Sequence, residues 1–226
     1  MYNDKRVLAF IPARSGSKGI INKNLYMLKG MPLLGYTIEE AKKSAFIDKI
    51  VCSTNGAEIA KFCESMGVSV VRRPEELSTD TSPTIKAMMH CVRALENMGE
   101  MYDYLVELQP TSPDRKVQYI DGIIRETIDN GFVGMISVHK IDCHPLLLRY
   151  KNGSKLEKCI AASSTCRRQD MRQAYYVNGM LYTYEIAKLN DDVSLNDIEY
   201  GYEVPAEDCI DINTMDDILL WEKNHN

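Results

Sequence analysis

The chain has 226 residues, with 27 Lys and Arg against 32 Asp and Glu, for a formal net charge of −5. Apolar residues at 45% and charged residues at 26% are ordinary globular composition, which argues against disorder. A chain this long buries roughly 70% of its unfolded surface, so folding needs no disulfide or structural metal. The mildly acidic total argues against nucleic acid or a membrane surface as the main partner, while leaving room for a local basic pocket.

Two basic residues, Lys5 and Arg6, precede the first apolar run, Val7 to Ile11. That run is too short for a signal-peptide core, and no stretch reaches the ~20 apolar residues of a membrane span. Continuous apolar runs are expected of strands buried on both faces. Val7–Ile11, Ile50–Cys52, Val68–Val71, Tyr104–Leu108 and Gly134–Val138 have this form. Amphipathic helices are predicted between them. One carries Leu34, Ile38, Ala41 and Ala45, and a second Ile59, Cys63 and Met66. A third carries Ile85, Met88, Met89, Val92 and Leu95, and a fourth Ile120, Ile123, Ile124 and Ile128. This alternation predicts an α/β fold with a mostly parallel sheet covered on both faces.

From residue 139 to 178 the rhythm changes. Lys151-Asn152-Gly153-Ser154 is a turn signal, and Arg167, Arg168, Arg172 and Gln173 give the segment a basic, polar character, so it reads as an inserted hairpin. Tyr175–Tyr184 and Cys209–Ile212 return to strand-like sequence. A last helix is predicted after Thr214-Met215-Asp216-Asp217, which has capping-box form, with Ile218, Leu219 and Trp221 on its apolar face. The seven cysteines are scattered, odd in number and without a C-x-x-C, as in a reduced cytoplasmic protein that uses them as apolar filler.

Chemistry concentrates in Pro12-Ala13-Arg14-Ser15-Gly16-Ser17-Lys18-Gly19 and the following Asn22-Lys23-Asn24. A Gly/Ser loop directly after a buried strand lets backbone N–H groups approach phosphate oxygens, and Arg14, Lys18 and Lys23 place three cations within ten residues. The bland alternative is a solvated basic loop. Neither G-x-x-x-x-G-K-[ST] nor G-x-G-x-x-G is present, which excludes a P-loop NTPase or a standard dinucleotide fold.

Ile11–Asn24 resembles the N-terminal signature of the CMP-sialic acid synthetases, the acylneuraminate cytidylyltransferases. The likeness recurs at Arg73-Pro74-Glu75-Glu76-Leu77, Asp80-Thr81, Leu108-Gln109-Pro110-Thr111-Ser112-Pro113, Arg168-Gln169, Asn178-Gly179 with Tyr182, and Ile210-Asp211-Ile212. The resemblance implies a Rossmann-like nucleotide-diphospho-sugar transferase fold and a single domain over 1–226, with 139–178 as a dimerisation arm. It implies transfer of CMP from CTP to a nonulosonic acid, a nine-carbon 2-keto sugar acid, with release of pyrophosphate. An eight-carbon acid such as Kdo is the alternative acceptor, and a degenerate relative that only binds CTP is the non-catalytic one.

The resemblance also implies roles. Arg14, Lys18 and Lys23 would hold the triphosphate, with Ser15 and Gly16 supplying backbone donors and Asn24 a nucleotide contact. Arg73 and Thr84 would lie near the cytosine. Gln109 would approach the reacting hydroxyl, although Pro110 and Pro113 also suit it to a plain turn. Asn178 and Tyr182 would line the sugar pocket, and Arg168 would reach from the arm into the partner's site of a homodimer. Asp211 and Asn213 would hold Mg²⁺. Three departures stand out: Asn213 replaces a second acid and could instead cap the last helix, Leu147 stands where a Lys is frequent, and paired phenylalanines after Tyr182 are missing, with Val193 and Leu195 the nearest apolar candidates. His90, His139, His144 and His225 fall outside the matched motifs.

Overall fold

The computed structural model describes residues 1–163, 165 and 167–225, with Arg168 described by its backbone alone. In chain order the elements are β1 (Val7–Pro12), β2 (Met27–Leu28), β3 (Met31–Pro32), α1 (Leu33–Lys43), β4 (Lys49–Thr54), α2 (Ala57–Ser65) and β5 (Ser69–Arg72). Then follow α3 (Thr84–Glu96), β6 (Tyr104–Leu108), α4 (Val117–Asp129), β7 (Gly134–Ile141), β8 (Arg149–Asn152), β9 (Lys155–Lys158), β10 (Ala174–Glu185), β11 (Gly201–Glu203) and α5 (Met215–Asn224).

A seven-stranded sheet runs in the order β11-β7-β10-β6-β1-β4-β5. β10 is antiparallel to both β6 and β7, and the other neighbours pair in parallel. Successive residues of β1 explain why its run is apolar throughout. Val7, Ala9 and Ile11 pack with Leu34, Ile38, Ile59, Ile120 and Ile124, against α1, α2 and α4. Leu8 and Phe10 pack on the other face with Ile85, Met88, Cys91 and Leu95 of α3. A third cluster of Ile20, Leu28, Leu33, Ile212, Ile218 and Trp221 docks α5 beside the β2–β3 turn.

The chain order departs from spatial order at one place that matters. β4 and β5 lie on one side of β1, and the chain then crosses to place β6 on the other side. In open α/β sheets ligands bind beyond the carboxyl ends of strands at such a reversal. Between the paired strands β7 and β10, the chain makes the β8–β9 hairpin, whose two-residue turn has Gly153 at φ +59°.

Three expected features differ. Cys209–Ile212 is not a strand: after a short helical turn at Ala206–Asp208 it runs irregularly, and Ile212 N–H donates to the Thr111 carbonyl at 2.8 Å. The added edge strand is Gly201–Glu203, too short to show any apolar period. Thr214 caps α5 reciprocally with Asp217, so Asn213 is not the cap. Ile218 and Trp221, three apart, are buried, whereas Leu219 lies off that stripe and is 59% exposed.

Candidate functional site

A polar cleft of about 370 Å³ opens beyond β1 and β6, and it is lined by Arg14, Lys18, Lys23, Asn24, Arg73, Thr84, Gln109 and Asn213 among others. The volume lies within the range of small-molecule sites. The fold therefore gathers residues spaced over two hundred positions, because β1, β5 and β6 all end on the same rim and α3 begins there.

Within the loop after β1, Gly16 holds φ +76°, a backbone state that glycine adopts without steric cost. Asn24 is buried, and its Nδ2 donates to the Arg14 carbonyl at 2.9 Å, which closes the loop on itself. The Ser15 N–H is engaged with Asn55 Oδ1 at 2.9 Å. Ser15 and Gly16 line the opposite side of the loop, with the start of α2, rather than the cleft. Gly19 passes so close to the Asn213 carbonyl that a Cβ there would collide with it.

The three cations have different partners. Arg14 Nη2 pairs with Asp80 Oδ1 at 2.6 Å and Lys18 Nζ with Asp80 Oδ2 at 2.5 Å. Hydrogen bonds from Lys18 and then Arg14 hold the Asp80 carboxyl below its ordinary range. Lys23 Nζ donates to the Ile212 carbonyl at 3.1 Å and to Asn213 Oδ1 at 2.8 Å. Burial pushes the Lys23 ammonium down, Arg14 adds repulsion, and Asp211 opposes both. Two of the cradle's cations are thus engaged by a carboxylate, and an incoming polyanion would compete with Asp80 for them.

Arg73 is buried, not the surface cation that its place after a strand would suggest. Its Nε donates to Ser53 Oγ at 3.0 Å and its Nη2 to the Ser53 carbonyl at 2.9 Å. Gln109 Nε2 faces Glu107 Oε1 at 3.4 Å. Tyr182 is buried, with its hydroxyl on Asn196 Oδ1 at 3.1 Å. Burial, with the charges of Glu107 and Asp211, pushes that phenol up to about 12. A Cβ on Gly179 would lie 3.5 Å from the Tyr182 hydroxyl and 3.8 Å from Gln109 Oε1, so the three residues converge.

Other expected site residues lie elsewhere. Asn178 is buried and spent on the bulge that interrupts β10: Oδ1 accepts from Ser137 Oγ at 2.5 Å and from the Met180 N–H at 3.1 Å, while Nδ2 reaches Cys209 Sγ at 3.2 Å. It shapes the wall rather than lining the cleft. Val193 and Leu195 pack against the α3-side core. The Arg168 side chain lies outside the described residues. Among the described residues no histidine lines the cleft; His144 caps a short turn through the Leu146 N–H at 3.3 Å.

Three cleft-side residues were not singled out from sequence for any role: Asp80, Glu107 and Arg115. Glu107 is 1% exposed yet lines the cleft. Burial pushes its carboxyl up to about 7, opposed by Gln109 and by the charges of Arg115 and Arg73. Arg115, also 1% exposed, donates to the Gln109 carbonyl at 2.5 Å, the Met180 carbonyl at 2.9 Å and Thr37 Oγ1 at 3.0 Å. One guanidinium thereby ties the end of β6 to α1 and to the β10 bulge. The sequence signal for Glu107 was a single carboxylate in an otherwise apolar run.

Among the described residues no group of three His, Cys, Asp or Glu is arranged to hold a metal ion. Asp211 is exposed, and its Oδ2 accepts from Asn213 Nδ2 at 2.6 Å. With Asn213 Oδ1 taken by Lys23, the donor set offers one carboxylate. That suits Mg²⁺, which is commonly held by one or two carboxylates together with substrate phosphates and water.

The cytidylyltransferase family model matches residues 8–206. An N-acylneuraminate cytidylyltransferase of Streptococcus agalactiae serotype V is 31% identical over 216 residues, covering 94% of this chain and 51% of the relative. The chain thus spans about half the length of such relatives. A CMP-N,N'-diacetyllegionaminic acid synthase of Legionella pneumophila is 41% identical, covering 96% of this chain and 95% of the relative. Among solved structures, a CMP:2-keto-3-deoxy-manno-octonic acid synthetase complexed with CTP has a TM-score of 0.74 at 14% identity, covering 97% of this chain and 98% of that one. At that identity the likeness is one of fold.

Proposed function

The chain belongs to the cytidylyltransferase family, and on that premise we propose that it transfers CMP from CTP to a nine-carbon 2-keto sugar acid, releasing pyrophosphate. The observation that carries this reading is the convergence of Arg14, Lys18 and Lys23 on a cleft that also holds Arg73, Thr84 and Gln109. Two relatives whose names specify acylneuraminate and diacetyllegionaminic acid support the acceptor class.

In the proposed reaction the acceptor hydroxyl attacks the α-phosphorus in line. A new P–O bond forms, the α–β phosphoanhydride bond breaks, and pyrophosphate leaves. Such transfers depend on positioning and charge stabilisation more than on a strong base. Arg14, Lys18 and Lys23 neutralise the charge that grows on the leaving group. Gln109, fixed through its carbonyl by Arg115, orients the acceptor, with Tyr182 behind it. Asp211 would hold Mg²⁺, which when bound supplies positive charge to the phosphate oxygens.

The partner in this reading is a second copy. Leu147, Leu148, Tyr150, Leu156 and Ile160 are exposed around the β8–β9 hairpin, and apolar surface of that kind favours association. Arg168 is the arm residue proposed to reach the neighbouring site. No helix among the described residues is long and apolar enough to cross a membrane, and the six described cysteines, all free, suit a reducing cytoplasm.

Pyrophosphate release measured with CTP, Mg²⁺ and a panel of eight- and nine-carbon sugar acids tests the proposal. Turnover with a nine-carbon acid is expected. Turnover with Kdo alone would reassign the acceptor, CTP binding without turnover would favour a binding protein, and no CTP uptake would remove the proposal.

A further inference from the structure

Glu107 has no part in the chemistry just described. It sits opposite Phe10 and Tyr182 in the sheet register, is buried, and still lines the cleft. A buried carboxyl normally has strong partners. Among the described residues this one accepts a single long hydrogen bond, from Gln109 Nε2 at 3.4 Å, and forms no ion pair. Gln109 is the cleft residue that the reading above sets against the acceptor hydroxyl.

A primary amide has two unlike ends, and the end that faces the cleft decides what it can do there. Arg115 Nη2 fixes the backbone of Gln109 by donating to its carbonyl at 2.5 Å. The direction of the side-chain amide is left to the partner of that amide. An ionised carboxylate can only accept, so Glu107 takes the Nε2 end. Oε1 accepts no hydrogen bond among the described residues, and a Cβ on Gly179 would lie 3.8 Å from it. A free carbonyl oxygen at this place accepts from the acceptor's O–H and leaves that oxygen's lone pair free for the α-phosphorus. Protonated Glu107 would donate instead, draw Oε1 to itself and turn the amide NH2 outward. A donor there would occupy the lone pair that has to attack.

The geometry points to Glu107 as a positioning residue that turns the Gln109 amide oxygen toward the acceptor hydroxyl. It acts through Gln109, and the inference rests on the acceptor reading above. Burial raises the carboxyl to about 7, so the arrangement is complete above that pH and is lost below it. The other titratable or charged groups whose fields reach Glu107 are Arg115 after β6, Arg73 after β5 and Tyr182 on β10. Burial lowers Arg115 to about 9 and raises Tyr182 to about 12, both outside the window in which Glu107 changes charge.

The test is single-turnover CMP transfer from CTP to the nine-carbon acid that turns over best, followed from pH 5.5 to pH 8 with the full chain. The rate of unaltered protein should climb as pH rises through about 7 and then level off, and in E107Q that limb should disappear. In E107L the rate at pH 8 should fall by at least about tenfold with CTP affinity unchanged. In a Q109A background the same E107L change should cost less than about twofold, because no amide is left to position. Melting curves identify any variant that fails to fold, and the pH profile of unaltered protein needs no variant. A flat profile near pH 7 in unaltered protein would overturn the inference. So would a limb retained in E107Q, an undiminished rate in E107L, or an equal loss from E107L in both backgrounds. Absence of any CMP transfer by unaltered protein would instead remove the acceptor reading itself.

Discussion

The Glu107 carboxyl makes a prediction about stability that is independent of any ligand. Burial raises it from 4.5 to about 7 in the folded chain. The native state therefore binds a proton more tightly than the unfolded state does, and between these two values it carries more protons. Stability falls as pH rises through this window, and the loss is complete above the folded value. Converted at about 1.4 kcal/mol per pKa unit, the loss is roughly 3 kcal/mol. Glu107→Gln keeps the shape and removes the titration. Any fixed cost of the amide is the same at both ends of the pH range, so the informative quantity is the difference between variant and parent melting temperatures at pH 8.5 compared with pH 5. For a chain of this size roughly 3 kcal/mol corresponds to about 6–12 °C in favour of the variant at the higher pH. Differential scanning fluorimetry in matched buffers reads it directly. An equal difference at both pH values would mean that the carboxyl is not held in a desolvated setting.

Three further substitutions probe the cleft. Lys23→Ala removes the ammonium that reaches Ile212 and Asn213; kcat/KM should drop by at least about 100-fold with the circular dichroism spectrum unchanged, and near-normal activity would refute a phosphate role. Asn213→Asp replaces an amide that donates to Asp211 with a second carboxylate. Its melting temperature without Mg²⁺ should fall by about 2–4 °C and recover on Mg²⁺ addition, and the Mg²⁺ concentration for half-maximal rate should fall; an unchanged requirement would separate Asn213 from the metal. Gly19→Ala sets a methyl against the Asn213 carbonyl, so the loop must move away from residue 213, and CTP affinity measured by calorimetry should fall by at least about tenfold. Unchanged affinity would show that this close approach is not needed for the cradle.

What the sequence showed, and what it hid, follows from the range over which each feature is determined. Buried parallel strands are apolar on both faces, so Val7–Pro12 and Tyr104–Leu108 were visible as runs. Helices α3 and α4 showed their apolar stripes because one face of each meets the sheet. The cradle was visible because its glycines and cations are contiguous in the chain. The partners of those cations were not, since Asp80 meets Arg14 from 66 positions away and Asn213 meets Lys23 from 190. Strand β11 has three residues and takes its place from pairing with β7 rather than from its own pattern. Cys209–Ile212 misled in the opposite direction: its apolar residues are buried by α5 and the Thr111 turn, and burial alone does not distinguish a strand from an irregular segment. Glu107 and Arg115 lie between these cases. Each breaks a locally apolar or turn-like pattern, and each is retained at 1% exposure although burying a charge is costly. In Arg115 the cost is offset by hydrogen bonds to two carbonyls and a hydroxyl. In Glu107 it is offset only in part, by the 3.4 Å hydrogen bond from Gln109 and the charges of Arg115 and Arg73, which leave the carboxyl raised to about 7.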